Sequence, residues 1–97
     1  MSNLENIISG SKPVLAEFWA PWCTYCRRIT PVMEKLKAER QDIEIVQVNI
    51  DDEPALADKY KIEVIPTMLM FVNGEHGQEL VAPGSKRQIE EFISSQL

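Results

Sequence analysis

Cysteine, histidine, positive charge and long apolar runs are all scarce here, and each shortage removes a class of function. Two cysteines in 97 residues are too few for a disulfide-stapled scaffold. Ten Lys+Arg against fifteen Asp+Glu, a formal charge of −5 with scattered lysines, argue against a phosphate-tracking nucleic-acid binder. The longest nearly apolar stretch, Val64 to Val72, is nine residues and includes Pro66 and Thr67. Roughly 20 apolar residues are needed to span a bilayer, so no membrane role is expected. Met1 to Asn6 carries neither a basic patch nor an apolar run, so no secretory leader is expected and a reducing, cytoplasmic location is the default. Six prolines and four glycines stand singly, leaving no low-complexity linker. What remains is a soluble globular composition, 44% hydrophobic and 26% charged, of a length that allows one domain, 1–97.

Apolar periodicity divides the chain. Leu4, Ile7 and Ile8 predict a short amphipathic helix closed by Gly10. Val14-Leu15-Ala16-Glu17-Phe18-Trp19 has strand length and composition. Cys26, Ile29, Met33 and Leu36 repeat every three or four residues, a helix from about Cys23 to Arg40 with Pro31 as a kink. Ile43, Ile45, Val46, Val48 and Ile50 mark a second strand, rich enough in apolar residues for a parallel strand covered on both faces. Asp51-Asp52-Glu53-Pro54 starts a helix that runs to about Tyr60. Met68 to Val72, a turn at Asn73-Gly74 and Gln78 to Ala82 predict an antiparallel hairpin, with His76 in its turn. Ser85 and Gln88 form a capping box before a last helix that buries Ile89, Phe92 and Ile93. The order α-β-α-β-α-β-β-α predicts a three-layer α/β/α sandwich with a mixed four-stranded sheet.

The chemistry sits where the first strand hands over to the long helix, at Trp22-Cys23-Thr24-Tyr25-Cys26. A helix N-terminus presents unpaired N–H groups and a positive dipole end, which favour an anion. Cysteine reacts as its thiolate, and such a site lowers the pKa from about 8.5 towards the value near 7 found in reactive C-x-x-C motifs. That raises the thiolate fraction at neutral pH from a few per cent to about half. Residues i and i+3 share a helix face, within reach of a disulfide once the first turn loosens. Cys26, one turn deeper, should be the more shielded. As a structural staple the pair would constrain the unfolded chain very little. As half of a zinc site it lacks further cysteines, and His76 is the only histidine.

The segment Phe18-Trp19-Ala20-Pro21-Trp22-Cys23-x-x-Cys26 closely resembles the thioredoxin active site, and the likeness runs in order from about residue 4 to the end. Pro31 matches the family's kink proline, Val48-Asn49-Ile50-Asp51 with Pro54 and Lys59-Tyr60 its middle, and Phe71-Val72-Asn73-Gly74 its hairpin. Ile65-Pro66-Thr67 looks like its cis-proline loop. The resemblance implies that Cys23 attacks and Cys26 resolves. It also implies that Ile65-Pro66 is cis beside the sulfurs, with the Ile65 backbone pairing with an extended substrate. On base rates alone only about one X-Pro bond in twenty is cis, so Pro66 would be a plain strand-edge proline. The resemblance reverses that expectation.

Glu17 shares a strand face with Leu15 and Trp19 in an otherwise apolar run. It either snorkels to solvent or matches the family's buried acid, usually Asp, which would accept the Cys26 proton. Other departures are visible. Thr24-Tyr25 replaces the usual Gly-Pro, Gln47 replaces a lysine near the acid, Ala82 a groove glycine, and Lys61 the glycine that ends the second helix. Loss of that lysine removes a positive neighbour, so Glu17 is expected to titrate higher than the family's acid does. The family's first strand has no counterpart, leaving Ile43–Asn49 as an edge. Trp19 reads as core and Trp22 as a partly exposed contact surface, with Tyr25 a solvent-facing residue. Arg27 and Arg28 either support the thiolate or are solvated surface.

The expected function is therefore a protein thiol–disulfide oxidoreductase whose site is Cys23, Cys26 and Glu17, with Trp22, Ile65, Pro66 and Ala82 contacting substrate. It needs no metal and no bound cofactor beyond the redox-active Cys23–Cys26 disulfide. Its partners would be disulfide-containing proteins and a flavin-dependent thioredoxin reductase, the chain acting as a monomer. Thr24-Tyr25 keeps open a glutathione-linked, glutaredoxin-like or more oxidising protein, and a third reading is a thioredoxin-fold binding module.

Overall fold

Val14 to Phe18 is fully buried because the fold covers both faces of this strand. A computed structural model describes residues 4–97; the start of the segment from which no leader was expected, residues 1–3, lies outside the described residues. The elements are α1 (Leu4–Ile8), β1 (Val14–Trp19), α2 (Thr24–Glu39), β2 (Glu44–Asn49), α3 (Pro54–Lys59), β3 (Thr67–Val72), β4 (Glu75–Val81) and α4 (Lys86–Gln96). The sheet has the order β2-β1-β3-β4, with β1 parallel to β2 and antiparallel to β3. Among the described residues β2 is an edge, as expected without an earlier strand.

Alternation along β1 sorts its side chains into two cores. Val14, Ala16 and Phe18 pack with Leu4 of α1 and Leu56 of α3. Leu15 faces the other way, against Ile29, Met33 and Leu36 of α2 and Ile89 and Ile93 of α4. Glu17 has the parity of Leu15, so a carboxylate is carried into the layer beneath α2. The helix α2 runs as one element with Pro31 inside it.

The hairpin turn is Asn73-Gly74, at φ +55° and +82°. A two-residue turn with both φ positive matches the sheet twist, so pairing resumes at once. Strand β4 therefore begins at Glu75, three residues before the expected Gln78, and His76 is not a turn residue. It sits in β4 opposite Phe71, its ring 5.4 Å from that of Phe71 and 5.5 Å from that of Tyr60. The sequence hid this because β4 is an exposed edge with polar residues on both faces. One extra residue on β4 is absorbed as a bulge opposite the Leu69–Phe71 step. The strand stops at Val81, since Ala82 takes φ +45°.

Caps follow the sequence with one displacement. Ser85 Oγ accepts from Gln88 N at 3.2 Å, but the Gln88 side chain reaches back to Gly84 N instead of Ser85 N. At the end of α3, Ile62 N donates to Ala57 O at 2.9 Å and Lys61 N to Asp58 O at 3.1 Å, a Schellman motif. Its left-handed position is held by Lys61 at φ +55°. Lys61→Gly is expected to raise stability by about 0.5–1 kcal/mol, or a few degrees in Tm, read by thermal unfolding. An unchanged or lower Tm would mean that the residue bears no strain.

Candidate active site

Strand β1 ends at Trp19, and the chain turns through Ala20–Trp22 before α2 begins. Cys23 is the N-cap of α2, extended at φ −89° and ψ 110°, and its Sγ accepts a hydrogen bond from Cys26 N at 3.1 Å. The sulfur thus occupies the place where a Ser or Asp oxygen would satisfy an orphan N–H of the first turn. Cys23 and Cys26 are joined as a disulfide, with Cα atoms 5.2 Å apart. Cys26 is fully buried while Cys23 is half-buried, so the pair is asymmetric towards solvent.

The loop before β3 closes over the sulfurs. Ile65-Pro66 is a cis peptide, and Ile65 O lies 3.9 Å from Cys23 Sγ. Pro66 is buried and its carbonyl accepts from Ala82 N at 2.8 Å, which draws the β4–α4 loop alongside. The sequence candidates Cys23, Cys26, Ile65, Pro66 and Ala82 are thereby brought to one end of the sheet. Trp22 stands at the rim, 66% exposed, with its indole N–H donating to the Asp51 carboxylate at 3.1 Å. Trp19 is half-buried, its Nε1 lacking a partner among the described residues.

Two features of the site were not read from the sequence. Val64 is half exposed beside Ile65, adding apolar surface next to the sulfurs. Tyr25 is not merely solvent-facing: its phenol donates to Pro83 O at 3.0 Å and Ala82 O at 3.3 Å, tying the dipeptide between the cysteines to the β4–α4 loop. Both backbone polar groups of Ala82 are therefore engaged. Arg27 and Arg28 are exposed on the first turn of α2.

Glu17 is completely buried and does not snorkel to solvent. Its Oε1 accepts from Gln47 Nε2 at 3.1 Å, while Oε2 is buried without a partner among the described residues. Burial pushes its carboxyl above the ordinary value of 4.5, opposed by the Gln47 hydrogen bond and by the charge of Lys37. Gln47 does stand where the family carries a lysine, but a positive charge still reaches the acid, from Lys37. Lys37, from the last turn of α2, donates to Gln47 Oε1 at 3.0 Å. Nothing in the sequence announces this contact, because residues 37 and 47 meet only when α2 packs across β2.

Comparison with known proteins agrees with this geometry. A sequence model of the family described as Thioredoxin matches residues 1–95. The chain is 34% identical over 94 residues to Thioredoxin of Rickettsia bellii, covering 96% of this chain and 90% of that one. It is 42% identical over 99 residues to Thioredoxin M5, chloroplastic, of Oryza sativa, covering 96% and 58% respectively. Among solved structures it superposes on a mutant thioredoxin from Halobacterium salinarum with a TM-score of 0.88 and 32% identity, covering 99% of this chain and 84% of that one.

Proposed function

Since this chain belongs to the thioredoxin family and is a thiol–disulfide oxidoreductase, we propose that Cys23 is its attacking sulfur and Cys26 its resolving sulfur. The observation that carries this assignment is the Cys26 N–H directed at Cys23 Sγ, on the N-cap of α2. In the reduced protein that donor and the helix dipole stabilise a Cys23 thiolate, whereas buried Cys26 stays protonated.

The Cys23 thiolate attacks one sulfur of a protein disulfide. The substrate S–S bond breaks, its second sulfur leaves as a thiolate that takes a proton, and a mixed disulfide forms. Cys26 then loses its proton to the Glu17 carboxylate, relayed by water, and attacks Cys23 Sγ. The substrate's remaining sulfur leaves as a thiolate and takes up a proton, Glu17 returns its proton to solvent, and two electrons have passed from the dithiol to the substrate. A flavin-dependent thioredoxin reductase restores the dithiol.

Trp22, Ile65, Pro66 and Ala82 form the surface that receives the substrate. Ile65 offers it a backbone edge, since Ala82 N–H is taken by Pro66 and its carbonyl by Tyr25. We take the chain to act as a single-domain monomer in the cytoplasm, the default its sparse cysteines suggest. Among the described residues no helix is long and apolar enough to cross a membrane.

The test compares electron donors. With NADPH and a thioredoxin reductase, insulin disulfides should be reduced more than about tenfold faster than with glutathione as sole donor, about 1.4 kcal/mol of barrier. Equal rates with glutathione alone would assign the protein to glutathione-linked exchange instead.

A further inference from the structure

We propose that Lys37 is a positioning residue for the buried acid, setting the proton affinity of Glu17 through Gln47; this rests on Glu17 being the proton acceptor for Cys26. The geometry is a continuous chain from surface to core: Lys37 Nζ to Gln47 Oε1 at 3.0 Å, then Gln47 Nε2 to Glu17 Oε1 at 3.1 Å. Glu17 and Gln47 are register partners on β1 and β2, so the second link is built into the parallel strand pair. The first link comes from the last turn of α2, where Lys37 also lies 3.8 Å from Glu34.

A primary amide can face a carboxyl group either way. Its NH₂ favours a carboxylate, whereas its oxygen favours a protonated acid. Ammonium is a donor only, so Lys37 claims the amide oxygen and leaves Gln47 only its NH₂ to offer Glu17. A neutral side chain thereby becomes a one-way donor to the charged form of the acid. The cation also contributes its own attraction across the amide.

Few other charges compete. Across β1 from Gln47, Glu17 is opposite Met68 of β3, and α4 sends apolar Ile89 and Ile93 into the same layer. From α2 the groups on this side are Lys37, its neighbour Glu34 and the Cys26 sulfur. Glu17 Oε2 has no donor among the described residues, so the Gln47 bond is the one protein hydrogen bond there that favours its ionisation. The orientation of that amide therefore matters.

The decisive measurement is the Glu17 side-chain carboxyl titration, followed by NMR in the oxidised full chain. Lys37→Met is expected to raise the Glu17 midpoint by at least about 0.5 pH unit, roughly a threefold change in protonation equilibrium. Lys37→Arg should restore it. In a Gln47→Leu background, Lys37→Met should move the midpoint by less than half as much. An unmoved midpoint in Lys37→Met, or an equal shift with and without Gln47, overturns the proposal. The pH dependence of mixed-disulfide resolution is read in the same variants. If it fails to follow the carboxyl midpoint, Glu17 is not the proton acceptor, while the coupling to Lys37 is still judged by the titration alone.

Discussion

Cys23→Ser is expected to abolish disulfide reduction, with a loss of at least a factor of about a thousand, or ~4 kcal/mol of barrier. A serine hydroxyl at the α2 N-cap keeps the hydrogen bond from Cys26 N and so keeps the helix start. It offers no ionised nucleophile at neutral pH, and the sulfur left at position 26 is fully buried. Cys26→Ser should behave differently. The first attack survives, and a mixed disulfide with substrate accumulates because nothing expels it.

The same asymmetry can be read directly in the reduced protein. Alkylation at pH 7 should modify Cys23 several-fold faster than a free peptide thiol and spare Cys26, since the thiolate fraction rises from a few per cent to about half. The gain is smaller than that ratio because nucleophilicity falls with pKa. Equal labelling of the two sulfurs in the folded chain would remove the basis for assigning their roles. Physiological function retained in Cys23→Ser after disulfide reduction is lost would point to a binding module.

Glu17→Gln should make the protein more stable at pH 8 and slow its second chemical step. Burial holds the folded carboxyl above its ordinary value of 4.5. Between that value and the raised one, the folded chain keeps a proton that the unfolded chain has lost. Stability therefore falls as pH rises through this window and levels off above the folded pKa. Glutamine removes the ionisation, keeps the volume and retains an oxygen for Gln47 Nε2 to bind. The expected gain at pH 8 is about 1–3 kcal/mol, the scale of a buried polar group left incompletely paired. At pH 4 the gain should largely vanish, because wild-type Glu17 is then mostly protonated in both states. Urea unfolding across pH 4–9 measures this directly. A variant no more stable than wild type at pH 8 would mean that the buried carboxylate costs the fold nothing. In single-turnover kinetics the mixed disulfide should persist longer, with the first attack unaffected.

Much of this was legible in one dimension. Elements whose apolar period is strong and local, such as β1, α2 and α4, could be placed to within a residue or two. Asn73-Gly74 specified its own turn because few residues tolerate two positive φ values in succession. The edge strand β4 was partly missed because its start is polar and exposed, so its pairing owes more to the turn and to Phe71 than to its own pattern. Lys61 shows the converse. The family resemblance marks position 61 as one where a glycine usually ends this helix, and the structure holds Lys61 there at φ +55°, a left-handed conformation that a side chain tolerates poorly.

The reactive pair is written in the chain itself: two cysteines three apart, between an apolar strand and a helix, place one sulfur on a helix end through backbone geometry alone. The identity of the groups around that pair emerges only in three dimensions. Tyr25 reaches Pro83, and Lys37 reaches Glu17 through Gln47, across gaps in sequence that no periodicity encodes. The reason is physical. Hydrogen-bonded turns and helices are fixed by neighbours along the chain, whereas the burial of a carboxyl and the partners left to it depend on which layers close over it.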